Sequence, residues 1–119
     1  WFVISKCGKD GDNNAWLLVQ HADDQPDFQK QVLVILAGLY KNKETNPRNY
    51  AYLYDRVAAS FSDLSLQTLQ RYGTQGSCTG PGKWEPIPME NPSQVDIRRA
   101  EVGLETMAEY ILKFKNICH

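Results

Sequence analysis

The chain has 119 residues, 42% of them hydrophobic and 23% charged, with 13 Lys and Arg against 14 Asp and Glu and a formal net charge of -1. That length suits one domain around one core, and the composition excludes a disordered, collagen-like or coiled-coil chain. The balanced charge also argues against nucleic acid as a partner, since phosphate backbones select basic faces, while a local arginine pair is enough for a small anion.

In chain order, residues 12–22 read as a first helix. Asp12 or Asn13 is placed to cap it, and Ala15, Trp16, Leu17, Leu18, Val19 and Ala22 leave it almost no polar side, so it belongs in the interior. Asp24 is the predicted cap of a second helix with Pro26 in its first turn, where a missing N–H does no harm. Phe28, Val32, Ile35, Leu36 and Leu39 recur at i, i+4, i+7, i+8 and i+11, an amphipathic helical period. The nearly apolar run Val32–Tyr40 within it is about half of the roughly 20 residues a membrane-spanning helix needs, so no span is expected. Asn46 followed by Pro47 opens a third helix through about Ala59, with Tyr50, Leu53 and Val57 facing inward. From Leu66 the period changes. "LQTLQRYGTQ" alternates, "GSCTGPGK" has the glycines and proline of a long loop, and "KWEPIPM" suits an extended edge, together a loose hairpin. Asn91 as cap, Pro92 at the first helical position and Gly103 as terminator frame a fourth helix. The last runs from Glu105 to about Asn116, with Met107, Tyr110, Ile111 and Phe114 as its apolar face. The expected architecture is α+β, mainly α: about five helices with one loose β-hairpin between the third and fourth, as a single domain over residues 1–119.

Cys7, Cys78 and Cys118 show no metal-ligand spacing, so neither a metal nor another cofactor is expected. They allow at most one internal disulfide with one thiol left over. A Cys7–Cys118 bridge would embrace nearly the whole chain, and three reduced thiols are the alternative. The chain opens on Trp1 without a leader pattern, as an excised domain or a processed protein would.

The polar residues worth attention stand where polarity is costly. Gln20 and His21 end an otherwise apolar helix, so they either line a cavity or find backbone partners. Asp23 and Asp24 serve as turn and cap residues, or orient His21. Tyr52, Asp55 and Arg56 lie together in "NYAYLYDR", with Tyr52 and Arg56 on one side at i, i+4, as in a pocket wall or a helix crossing. "RYGTQ" joins Gly73 to Arg71, Tyr72, Thr74 and Gln75. Arg98 and Arg99 flank the stripe of Val95 and Val102, where a guanidinium needs a carboxylate, Asp55 or Asp23, or a ligand anion; Ile97 and Ala100 lie opposite, and one arginine is expected at the surface.

Taken jointly, "WLLVQHAD", "NYAYLYDR", "QRYGTQ" and "RRAEVGL" resemble a bacterial family known as domain of unknown function 6624, over about residues 16–104. The resemblance implies small domains, often behind a secretion or lipoprotein signal, and no activity. Its polar motif residues fall on Gln20, His21, Asp23, Tyr52, Asp55, Arg56, Arg71, Tyr72, Gly73, Thr74, Gln75, Arg98 and Arg99. The expected function is an exported, secreted or periplasmic, domain that binds a small anionic or phosphate-containing ligand, with hydrolysis of that ligand and a cytoplasmic location left open. His21 would be general acid or base, Asp23 or Asp55 its orienting group, Arg56 and one of Arg98 and Arg99 the anion clamp, and Gln20, Tyr52, Arg71, Tyr72 and Gln75 the remaining contacts. A noncatalytic interaction module with a protein partner is the alternative, and a toxin domain a third reading. No serine-nucleophile elbow, phosphate-binding loop, dinucleotide fingerprint or H-E-x-x-H word is present.

Overall fold

A computed structural model describes residues 3–22, 24–61 and 69–119. Among these residues the order is α1 (Ile4–Gln20), α2 (Pro26–Lys41), α3 (Pro47–Phe61), β1 (Gly76–Gly80), β2 (Lys83–Pro86), a 3-10 turn (Pro92–Gln94), α4 (Val95–Glu101) and α5 (Met107–Leu112). The chain is thus α+β and mainly α, with an antiparallel hairpin between α3 and α4, as its periodicity predicts. No helix among the described residues is long and apolar enough to cross a membrane.

The first three helices pack around Val19, Val32, Leu36, Leu53 and Val57, edged by Trp16, Leu33, Leu39 and Tyr50. Each such side chain contributes roughly 1.5 to 3 kcal/mol on burial. Helix α1 departs from its expected bounds. It begins at Ile4 and bends at Gly8, whose φ of 73° interrupts the helical run. The stretch before Asp12 has no apolar period to announce a helix; contacts across the chain hold it, Ile4 N–H donating to the Glu44 carbonyl at 3.1 Å and Ser5 N–H to Glu44 Oε2 at 2.9 Å.

Asp12 does not cap α1. Fully buried, it accepts hydrogen bonds from Thr45 Oγ1 at 2.6 Å, from the Asn46 N–H at 2.9 Å and, more weakly, from Asn49 Nδ2 at 3.5 Å, so it fastens the start of α3. Asn46 caps α3 as expected, its Oδ1 accepting from the Arg48 N–H at 3.0 Å. Asp24 does not cap α2, where Gln25 holds the N-cap position without a side-chain bond. Buried Gln29 shares a face with Val32 and Leu36 and reaches back to α1. Its Nε2 donates to the carbonyls of Val19 at 2.9 Å and Gln20 at 3.3 Å, groups the end of a helix leaves without internal partners.

α1 is not interior on all sides: Leu17 is 49% and Leu18 78% exposed, and Phe28, Val34 and Ile35 of α2 also face outward. In runs so uniformly apolar the period does not choose the buried face; Asp12 and Gln29, which must reach their partners, do.

The hairpin lies further along than expected. β1 falls in "GSCTG", read as loop, with Gly76 opposite Pro86, Ser77 opposite Glu85 and Cys78 opposite Trp84, and the chain reverses through Pro81 and Gly82. Leu66, Gln67 and Thr68 lie outside the described residues, and Gln70 makes one parallel bridge with Met89. Gly76 is in the strand for a steric reason: a Cβ there would stand 2.3 Å from the Glu85 carbonyl oxygen and 2.5 Å from the Trp84 ring.

Cys78 is bonded to Cys118, which ties β1 to the segment after α5, and Cys7 is an exposed free thiol. The bridge is therefore neither the Cys7–Cys118 closure nor the reduced alternative. Trp84, Tyr110 and Cys118 form the cluster beneath it, the Trp84 and Phe114 rings stacking at 4.5 Å. Asn91 adopts a left-handed φ of 37° and caps nothing, whereas Gly103, at φ 78°, ends α4 as expected. α5 starts after Thr106, whose hydroxyl accepts from the Glu109 N–H at 3.3 Å, and stops at Leu112, short of the predicted end.

Candidate functional site

The segment "QRYGTQ" is wound around Asp55. This wholly buried carboxylate accepts from the N–H groups of Arg71 (2.8 Å) and Tyr72 (3.1 Å) through Oδ1, and from the N–H (2.9 Å) and hydroxyl (2.8 Å) of Thr74 through Oδ2. Burial pushes its pKa up from the ordinary value, and these hydrogen bonds pull against that rise. Gln70 closes the loop from within, donating to the carbonyls of Gln75 at 2.9 Å and Ile87 at 2.8 Å and accepting from the Gln75 N–H at 2.9 Å. Gly73, at φ 68°, makes the left-handed step, and a Cβ on it would meet Met107 Sδ at 2.6 Å. With both oxygens committed to the loop, Asp55 is not placed to orient His21. Its work is to shape the rim on which Gln75 stands.

The two arginines of α4 are both buried, which corrects the expectation that one would lie at the surface. Val95 and Val102 mark the inward face, and Ile97 is exposed. Neither guanidinium takes Asp55. Arg98 Nε donates to the Arg71 carbonyl at 2.7 Å, and its Nη2 donates to the carbonyls of Glu90 and Asn91. Arg99 donates to the carbonyls of Glu105 and Tyr72, each at 2.5 Å, with its guanidinium 4.6 Å from the centre of the Tyr110 ring. Carbonyl dipoles thus replace the anion that sequence reasoning required. Tyr72 is buried with Ala51, Val102 and Leu104, and its hydroxyl pKa is pushed up to about 12 by that burial. Arg71 lies outside, its Nε 3.4 Å from Glu90 Oε2.

Asp55, Arg71, Tyr72, Arg98 and Arg99 therefore build the scaffold of the loop. The other candidates converge. Gln20 and His21 from the end of α1, Tyr52 and Arg56 one turn apart on α3, and Gln75 from the loop line one cleft of about 340 Å³, walled by Trp16, Trp84, Tyr110 and Phe114. Asp23 lies outside the described residues. The Tyr110 hydroxyl donates to the Thr74 carbonyl at 2.9 Å and is hydrogen-bonded to that of Tyr52; burial pushes the Tyr110 pKa well above its ordinary value. The Gln75 amide donates to Thr74 Oγ1 at 3.1 Å. Exposed His21 stands at the rim.

Two residues lining this cleft each hold an atom that lacks what its burial demands. Trp16 Nε1, a donor, and Gln20 Oε1, an acceptor, are both buried with no hydrogen-bond partner among the described residues. Each such atom costs roughly 1 to 3 kcal/mol while unpaired. Sequence reasoning found Gln20 but read Trp16 as core; the available signal was the i, i+4 spacing of the indole and the amide on one helix face. Trp84 and Phe114 were also missed as cleft walls. Among the described residues no cluster of three or more His, Cys, Asp or Glu gathers to hold a metal.

Fold and site define a class: a small α+β domain with a preformed polar and aromatic cleft between a helix pair and a disulfide-stapled hairpin. Residues 1–118 match the family described as Family of unknown function (DUF6624), and the chain belongs to that family. No curated protein and no solved structure matches it.

Proposed function

We propose that the protein is a bacterial small-ligand-binding domain whose cleft takes a compact anion bearing both a hydrogen-bond acceptor and a donor, such as a phosphate monoester with an aromatic body. The observation that carries this reading is the pair of unpaired buried atoms. Trp16 and Gln20 line the same hollow, and their Nε1 donor and Oε1 acceptor are buried just behind its wall without partners, a cost that a complementary ligand reaching them converts into affinity and specificity. His21 and Arg56 stand where an anionic group would be met, Gln75 and Tyr52 supply further polar contacts, and the aromatic walls suit a flat apolar body. Hydrolysis at this site would fall to His21 with a bound water. Since Asp55 is engaged elsewhere, binding is the primary activity we assign. The Cys78–Cys118 bridge supports an oxidising compartment, secreted or periplasmic.

Phenyl phosphate titrated by calorimetry tests the reading, with p-nitrophenyl phosphate to detect turnover. Gln20→Leu relieves the unpaired acceptor, so the melting temperature is expected to hold or rise while binding falls at least tenfold. His21→Ala should weaken binding at unchanged melting temperature, and Arg56→Ala should weaken binding when measured well below its own melting range. Binding that survives all three substitutions, or loss of stability without loss of binding, reduces these residues to scaffold.

A second reading, a protein-interaction module, draws support from Leu17 and Leu18, exposed at and beside the cleft. Under it the three substitutions weaken a protein complex and leave phenyl phosphate without effect.

A further inference from the structure

A second hollow, of about 790 Å³, shares no lining residue with the cleft. It opens among the start of α1, the end of α2, the start of α3 and the end of α4, and Arg48 on its wall is eight residues before Arg56, about 12 Å along α3. Four cationic side chains from three helices and their flanks face it, Lys9, Lys41, Lys43 and Arg48, against one acidic residue, Glu101. None of the four forms an ion pair among the described residues. In a chain of net charge -1 this is a concentrated local excess whose self-repulsion an anion would relieve.

Helix electrostatics alone do not account for the cluster. Lys41 and Lys43 at the end of α2 complement that helix's dipole, but Arg48 stands in the first turn of α3, the end where a cation is unfavourable, and the one carboxylate at that end, Asp12, is buried and held by Thr45 and Asn46. Lys43 holds a left-handed φ of 59° just past the end of α2, a position glycine or asparagine fills at less cost. The buried Asp12 carboxylate behind the wall is engaged by Thr45 and Asn46, which fixes the wall in place. Tyr40 and Val102 give the hollow an apolar side.

We propose that this hollow is a second binding site, distinct from the cleft, for a soluble small molecule carrying a diphosphate or several phosphates on a compact apolar or aromatic body. Two or more negative charges answer the four cations, and Tyr40 supports the apolar portion. The volume lies within the range of ordinary small-molecule sites.

The test uses the full chain and two probes, inorganic pyrophosphate and adenosine diphosphate, titrated calorimetrically at two salt concentrations. Binding of both is expected, tighter for the nucleotide and weakened by salt. The pairs Lys9→Gln with Arg48→Gln, and Lys41→Gln with Lys43→Gln, should each cost at least tenfold in affinity at unchanged melting temperature. Gln20→Leu should leave both probes unaffected, which separates failure of this site from failure of the cleft. No binding of either probe overturns the proposal. So does equal weakening by a control pair just past the end of α5, Lys113→Gln with Lys115→Gln, because diffuse charge would then suffice. Binding to vesicles containing phosphatidic acid without binding of the soluble probes likewise overturns it.

Discussion

Replacing Asp55 separates a scaffold carboxylate from a catalytic one. In Asp55→Asn the side-chain oxygen keeps the Arg71 and Tyr72 N–H groups, but the amide nitrogen now faces the Thr74 N–H, donor against donor; the Thr74 hydroxyl can turn to accept. One buried N–H is left unpaired, at about 1 to 3 kcal/mol. Removing the charge returns part of the desolvation that holds the Asp55 pKa above its ordinary value, so a net loss of about 1 to 2 kcal/mol is expected. Asp55→Ala orphans four donors and opens a void, with an expected loss of about 3 to 5 kcal/mol. For a chain of this length each kcal/mol is worth about 3 to 5 °C of melting temperature. Urea unfolding measures the stabilities, and phenyl phosphate titration of Asp55→Asn below its melting range measures the cleft. An unchanged midpoint with abolished binding would refute the scaffold assignment and return Asp55 to the site.

Two further outcomes follow from the structure. Cys78→Ser, or reduction of the bridge, frees a loop with a sequence separation of 40 and should cost about 4 kcal/mol on the chain-entropy account; denaturant unfolding with and without dithiothreitol measures it, and a loss under about 1 kcal/mol would show that the bridge constrains little. Tyr72 and Tyr110 keep their protons longer in the folded chain than in the unfolded one, so unfolding releases protons above pH 10, the ordinary tyrosine value, and stability should fall from there through the Tyr72 pKa of about 12. Absorbance titration of phenolate should show a late-ionising fraction that Tyr72→Phe reduces, and Tyr72→Phe should shallow the alkaline loss; complete ionisation of all six tyrosines near pH 10 would count against the burial of these two.

What the sequence made legible was whatever rests on period and punctuation. The stripe of Leu53 and Val57, the Asn46–Pro47 start and the Gly103 stop follow from side-chain spacing and backbone preference within one element, so they are readable locally. Asp12, Gln29 and Gln70 were not, because each serves an element other than its own: a carboxylate that fastens the start of α3, an amide that closes α1, an amide that braces the loop. β1 was hidden by its glycines, present so that Trp84 can lie across Gly76. Half of the candidate site was legible for the opposite reason. Gln20, His21, Tyr52, Arg56 and Gln75 are polar at the ends or edges of apolar segments, where only a cavity or a buried bond justifies them. The same criterion also selected Asp55, Arg98 and Arg99, since spacing cannot distinguish a polar side chain that meets a ligand from one that meets a carbonyl.

That ambiguity has a physical root in how the interior handles charge. Asp55 and Asp12 are met by N–H and O–H donors of a loop and a helix start, and Arg98 and Arg99 by carbonyls of the chain that passes them, with Arg99 Nη2 left without a partner among the described residues. Fixed dipoles compensate these charges inside the scaffold, so the potential in each hollow is set chiefly by the side chains at its own rim. For the cleft those are His21 and Arg56, beside a donor and an acceptor that the scaffold leaves unpaired. For the second hollow they are Lys9, Lys41, Lys43 and Arg48, opposed at the rim by Glu101 and from behind the wall by the buried Asp12 carboxylate. A fold that settles its buried charges with backbone can alter the rim of either hollow without unfolding the core, which is why substitutions at the rims should change ligand affinity and those at Asp55 or Arg99 should change stability.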